Sequence, residues 1–247
     1  MPGGAWADRA RVWGITTAGG ERPADGLVAG AGQRSGPFTP ALPGLADFAG
    51  PAFHSAQWDH DLDLTGTRVA VIGTGASAVQ FVPEIAPVVA SLVLFQRAPP
   101  WIVPRWDRQV SERAKRLYAR RPGAQKSARG LIYWLNELTL RGFNGHGPLS
   151  RRMDWLARRQ LEKQVPDPVL RAMLTPSYKI GCKRILKSDD YLPALSRPNV
   201  EVVTHAVTEM RPHSVVDTTG VEHQVDVIIF GTGFRVTDQP LSHRVRG

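Results

Sequence analysis

The stretch VAVIGTGASA at 69–78 carries the residue pattern that the rest of the chain must position. Gly73 permits a tight turn from strand to helix, and Gly75 lets the backbone approach a pyrophosphate with no Cβ in the way. Ala78 takes the third position, where close packing of helix on strand demands a small residue. Thr74, Ala76, Ser77 and Gln80 complete the candidate cofactor-binding turn. A helix opening here aims free N–H groups and the positive end of its dipole at a phosphate, with Ser77 as an extra donor. The next strand ends in FQRAPPW, which puts Arg97 24 residues after Gly73, where a fold preferring NAD keeps an acidic residue for the ribose. A guanidinium there clamps a 2′-phosphate, so the spacing predicts NADP(H). The plainer alternatives are a structural turn and a solvated arginine, and the strand and helix on either side of the glycines argue against the first.

The elements that hold this loop are legible from the pattern. RVAVI, GTGASAVQFVPEIAPVVAS and LVLFQ read as strand, turn with helix, and strand, a βαβ unit of a parallel sheet. Pro83 and Pro87 predict that the helix is kinked or split in two. Before the unit, Gly19-Gly20 marks a hairpin leading to a further strand around LVAGAG at 27–32, and SGPFTPALPG at 35–44 reads as an extended connector. Residues 107 to about 165 have helical periodicity, broken at Pro122-Gly123 and at GFNGHGP, and predict two or three helices. From residue 199 the pattern returns to strands, NVEVVT, SVVDTT and QVDVIIF, the last ending in GTGF.

Bulk properties narrow the classes. The chain has 247 residues, 42% of them hydrophobic, enough for a buried core. No run of 18 apolar residues and no signal-peptide pattern occurs, so the expected location is cytoplasmic with no membrane span. A single cysteine, Cys182, rules out an internal disulfide, and no Cys/His cluster has metal-ligand spacing. Redox chemistry therefore requires a bound cofactor. The net charge of +9 is densest in RRMDWLARRQLEK at 151–163, but Trp155, Leu156 and Leu161 fall at helical spacing, which predicts an amphipathic helix with a solvated basic face. No nucleic-acid motif accompanies it.

Read from Phe48, the segment FAGPAFHSAQW fills the fixed positions of F-x-G-x-x-x-H-x-x-x-W with Phe48, Gly50, His54 and Trp58. With GTGASA following, and with GCKRILKSDDYLPAL at 181–195 and DVIIFGTGF at 226–234, the chain resembles the Baeyer-Villiger type of class B flavoprotein monooxygenases over nearly its whole length. The likeness is nearest the ethionamide-activating and hydroxyacetophenone monooxygenase branch. It implies an α/β fold: a Rossmann-like NADP-binding domain with a helical insertion, flanked by partial pieces of an FAD-binding domain. The implied boundaries are 1–58 for the first piece and linker, 59–222 for the NADP-binding domain with its insertion at about 107–175, and 223–247 for the return into the FAD-binding domain.

The resemblance also implies an oxidoreductase in which NADPH reduces FAD, and reduced flavin with O2, as a C4a-peroxyflavin, oxygenates a small-molecule ketone, sulfide or amine. Arg184 falls on the catalytic arginine of the family, which stabilises the oxygenated flavin anion, and Lys183 on a residue that helps hold the NADP phosphate. His54 and Trp58 belong to the hinge that couples domain movement to the cycle, and Cys182 reads as a small packing residue. Relatives carry an earlier glycine loop for the FAD pyrophosphate and continue beyond the GTGF segment, so the resemblance implies a chain truncated at both ends with an incomplete FAD site. It also implies that residues 1–50 and 225–247 are the least ordered or the most prone to aggregate, their strands lacking neighbours. Three readings stay open: a monooxygenase, an inactive NADP-binding module or remnant, and a basic polyanion-binding protein.

Overall fold

The computed structural model describes residues 3–28, 30, 32, 36–107, 109–140, 148–236 and 244–246. Residues 142–147 of GFNGHGP and Ala31 of the first small-residue turn lie outside them.

The chain opens with a small antiparallel sheet of β1 (Gly3–Ala7), β2 (Val12–Thr17) and β3 (Gly20–Ala24). The second hairpin turns at Gly20, whose φ of 102° suits glycine, and Trp6 packs edge-on against its cross-strand partner Trp13. No strand follows at Leu27 and Val28, which corrects the expected strand there. After a connector come β4 (Ala52–His54), β5 (Arg68–Ile72), the helix α1 (Ala76–Ile85) and β6 (Ser91–Phe95). Then follow β7 (Ile102–Val103), α2 (Glu112–Arg120), α3 (Pro122–Leu140), α4 (Pro148–Gln164), α5 (Pro168–Met173), β8 (Leu186–Lys187) and α6 (Tyr191–Leu195). The last stretch holds β9 (Val200–Val203), β10 (Val207–Arg211), β11 (Ser214–Asp217), β12 (Glu222–Gln224), β13 (Val227–Phe230) and β14 (Val245–Arg246), the last pairing with β1.

The centre is a five-stranded parallel sheet in the order β4, β13, β5, β6, β9. It draws β4 from before residue 58 and β13 from after residue 223, so both flanks of the βαβ unit share its sheet. Side chains alternate between two cores with the period of two that strands impose. Val69, Val71, Leu92, Leu94, Val227 and Ile229 face α1 and α6, whereas Ala70, Val93, Phe95, Ile228 and Phe230 face Phe48, Met210 and Val215. Both faces are covered, which is why these strands read as continuous apolar runs. Each fully buried aliphatic side chain stabilises the sheet by about 1.5–3 kcal/mol. β13 is 1% exposed or less throughout, because β4 supplies its second neighbour, which corrects the expectation of disorder over 225–230.

α1 buries Ala78, Val79, Val82 and Ile85 and runs unsplit through Pro83. It ends at Ile85 with Ala86 as cap, so Pro87 lies beyond the helix and breaks nothing inside it. α4 buries Ala157, Gln160 and Leu161. Trp155 is not part of that face: it is 51% exposed and carries the Arg159 guanidinium 5.0 Å from its ring. Among the described residues no helix is long and apolar enough to cross a membrane.

The beginnings of β5 and β13 are clipped together. The Asp226 carboxylate accepts from the Arg68 backbone N–H at 2.8 Å and from the guanidinium at 3.0 and 2.6 Å. These bonds, led by that of the guanidinium, hold its pKa at about 2, below the ordinary 3.8. A carboxylate depressed on folding stabilises fully above its unfolded pKa and loses that contribution as the pH falls through the folded one. The melting temperature will therefore fall between about pH 4 and about pH 2, and Asp226→Asn will remove part of that slope. Melts of both proteins over pH 2–7 check this, and an equally steep acid loss in the variant would refute it.

Candidate functional site

The glycine turn joins β5 to α1 in a geometry that separates the duties of its two glycines. Gly73 has a φ of 107°, and a Cβ on it would stand 2.6 Å from the Gly231 carbonyl oxygen. Gly231 returns the contact, since its own Cβ would meet the Gly73 oxygen at 3.4 Å and the Ala78 Cβ at 3.5 Å. The two GTG turns, 73–75 and 231–233, thus pack against each other at the ends of adjacent strands, and the Gly231 N–H donates to the Ile72 carbonyl at 2.8 Å. Gly75 differs. It is exposed, its backbone is extended (φ −74°, ψ −174°), and among the described residues the nearest atom to a Cβ there would be the Gly231 carbonyl oxygen at 3.7 Å. It is the N-cap of α1 with no side chain capping the first N–H groups, so those donors are available to an anion. Ser77 is half-buried beside them, and Gln80 is exposed and bonded back to the Ala76 carbonyl at 2.9 Å.

Thr74 extends the turn sideways. Its hydroxyl donates to the Ala98 carbonyl at 3.2 Å, tying the glycine turn to the loop that leaves β6. Arg97 stands exposed on that loop directly after Gln96, which is buried and donates to the Met173 carbonyl at 3.0 Å. The 178–184 segment reaches the same loop: the Tyr178 hydroxyl donates to the Pro99 carbonyl at 3.1 Å, and the Lys183 ammonium lies 4.6 Å from the Tyr178 ring centroid. Arg184 follows, exposed. Arg97, Lys183 and Arg184 form no ion pair among the described residues. Cys182 is exposed in this loop, which overturns its reading as a packing residue: the left-handed Gly181 (φ 94°) turns the chain outward.

Phe48, Gly50, His54 and Trp58 all pack on the βαβ unit and its neighbour β13. Phe48 is 9% exposed in the core beneath Phe230, and a Cβ on Gly50 would stand 2.0 Å from the Asp226 carbonyl oxygen. His54 closes β4 opposite Phe230 and is 2% exposed. Its Nδ1 accepts from the Ala56 N–H at 3.0 Å, which assigns the ring proton to Nε2. Among the described residues Nε2 has no partner of hydrogen-bond geometry, and the Gly233 backbone carbonyl lies near the ring. Burial pushes the imidazole pKa below its ordinary 6.5, against the opposing pull of that carbonyl, so the ring is neutral. It also packs edge-on against Phe234, at 5.5 Å between centroids. Trp58 bridges Phe53 of β4 and Phe81 of α1, at 5.4 and 5.3 Å. These residues therefore brace the two glycine turns: His54 packs against Phe234 of the 231–234 turn and Trp58 against Phe81 of α1.

Residues 24–120 match the family described as flavin-binding monooxygenase-like. Two Baeyer-Villiger monooxygenases, from Streptomyces coelicolor and Pseudomonas aeruginosa, are 47% and 49% identical to this protein over 98% and 95% of its chain. The chain belongs to the flavin-binding monooxygenase-like family. It spans about half the length of the curated relatives it matches, 47% and 45% of these two. Among solved structures, the NADP+-bound cyclohexanone monooxygenase of Rhodococcus sp. Phi1 superposes with a TM-score of 0.78 at 26% identity, covering 94% of this chain and 51% of that one.

In this flavin-binding monooxygenase-like chain, four contributors to the site make contacts that no motif announces. Thr74 was assigned to the cofactor, whereas its hydroxyl also ties the two loops together. Tyr178 and Trp101 carry no motif, and only their contacts with the Arg97 loop single them out. The second GTG was visible as a turn in IIFGTGF, but its packing against Gly73 was not.

Proposed function

We propose that this chain is the NADPH-binding part of an FAD- and NADPH-dependent monooxygenase that transfers one oxygen atom of O2 to a small-molecule ketone, or to a soft nitrogen or sulfur centre, in the cytoplasm. The observation that carries the reading is the open cradle at Gly75, an uncapped helix N-terminus tied through Thr74 to the loop bearing Arg97. Residues 73–78 with Gln80 receive the dinucleotide, its pyrophosphate on the first N–H groups of α1. Arg97 and Lys183 hold the 2′-phosphate, and Arg184 is the catalytic arginine, a cation that keeps its charge at any working pH and faces developing negative charge. His54 and Trp58 set the hinge. Bound flavin supplies the O2 chemistry. The NADP+ in the Rhodococcus relative and the flavin-binding description of the family support both cofactors.

Calorimetric titration of the purified chain with NADPH and NADH tests the reading. NADPH will bind more tightly than NADH, and Arg97→Ala will weaken NADPH about 10- to 100-fold, the loss of a charge-assisted contact, while sparing NADH. Equal losses for both nucleotides, or none, would remove Arg97 from the 2′-phosphate. Among the described residues no second unit of strand, glycine turn and helix offers a pyrophosphate cradle for flavin. That observation favours, for the isolated polypeptide, the reading as an NADP-binding module without turnover. Yellow flavin absorbance that NADPH bleaches would overturn it.

A further inference from the structure

Arg97 and Lys183 lie in loops 86 residues apart, and a single side chain touches both loops. The Tyr178 hydroxyl donates to the Pro99 carbonyl, two residues beyond Arg97, at 3.1 Å, and its ring carries the Lys183 ammonium at 4.6 Å. The backbone of Tyr178 is itself anchored, since its carbonyl accepts the Trp101 indole N–H at 2.9 Å and Trp101 is 3% exposed. Thr74 of the glycine turn holds the neighbouring Ala98 carbonyl at 3.2 Å. The loop bearing Arg97 is thus clasped between the glycine turn and Tyr178. The geometry points to Tyr178 as a positioning residue that holds Arg97 and Lys183 together for the 2′-phosphate of NADPH and thereby sets the preference for NADPH over NADH. This inference rests on the NADPH reading above.

The physical reason is preorganisation. Arginine and lysine have long side chains that lose rotamer freedom when they grip a phosphate, and fixing them beforehand lowers that cost of binding. The aromatic face draws the ammonium by its quadrupole, and the hydroxyl holds the backbone from which Arg97 springs. Burial pushes the phenol above its ordinary pKa of 10, so the hydroxyl remains a donor to Pro99 at any working pH.

The test is calorimetric titration of the full chain with NADPH, NADH and 2′,5′-ADP, for the wild type, Tyr178→Phe and Tyr178→Leu, each also with Lys183→Ala, with thermal melts to confirm folding. Tyr178→Phe keeps the ring and loses one hydrogen bond. It will weaken NADPH and 2′,5′-ADP about 3- to 10-fold and leave NADH within about 2-fold. Tyr178→Leu will weaken them further, and with Lys183→Ala the difference between Phe and Leu will vanish, because the ring has no cation left to hold. Unchanged NADPH affinity in both variants, or an equal loss for NADH, overturns the positioning role and leaves Tyr178 a packing residue. A wild type that binds NADH as tightly as NADPH overturns the NADPH reading and this inference with it. A preference for NADPH over NADH that stays undiminished in both Tyr178 variants overturns this inference alone.

Discussion

Gly75→Val will leave the protein folded and abolish dinucleotide binding. The extended backbone at Gly75 accepts any residue, and its Cβ position is open to within 3.7 Å, so the added Cβ meets no clash among the described residues. A branched side chain at an N-cap costs at most about 1 kcal/mol of stability. It does fill the space in front of the first N–H groups of α1, where a pyrophosphate must come within about 3 Å of the backbone. Affinity for NADPH and NADH alike will fall by about 100-fold or more, because the cradle for the shared pyrophosphate is lost rather than the contact to one phosphate. Gly73→Ala is the instructive contrast. With a φ of 107° and a Cβ 2.6 Å from the Gly231 oxygen, it will destabilise the fold itself by about 2–4 kcal/mol. Calorimetry paired with denaturant unfolding separates the two. Wild-type nucleotide affinity in the Gly75 variant would mean that the turn is structural only.

Gly50→Ala will be among the most destabilising single substitutions in the chain, by about 3 kcal/mol or more. The added Cβ would stand 2.0 Å from the Asp226 carbonyl oxygen and 2.9 Å from the Phe48 ring. Neither neighbour can withdraw. The Asp226 side chain is clipped to Arg68, its backbone leads into the buried β13, and Phe48 fills the core beneath Phe230. The backbone of Gly50 is equally confined, between the bond from Ala49 N–H to the Pro212 carbonyl and that from Ile228 N–H to the Pro51 carbonyl, at 2.9 and 3.0 Å. Denaturant unfolding of the variant gives the number directly. A variant as stable as the wild type would show that the Asp226 backbone or the Phe48 ring gives way to the added Cβ, and would refute this confinement.

The sequence by itself determined the βαβ unit, its glycine turn and the place of Arg97 after β6. These are local properties: apolar periodicity names strand and helix, and glycine and alanine at fixed offsets name a tight turn open to a close backbone approach. It also determined the family, because the motifs of four segments keep their order. Only the tertiary structure decided which strands flank the unit and what each motif residue touches. Arg68 and Asp226 are 158 residues apart, and β13 slots between β4 and β5 through backbone hydrogen bonds that any strand can offer, so no residue type announces the pairing. The same holds for Gly73 against Gly231 and for Tyr178 against the Arg97 loop. Cys182 and Trp155 failed as packing residues for a related reason: apolar type sets a preference for burial, whereas the turn at Gly181 and the rotation of α4 about its axis decide which side chains are covered.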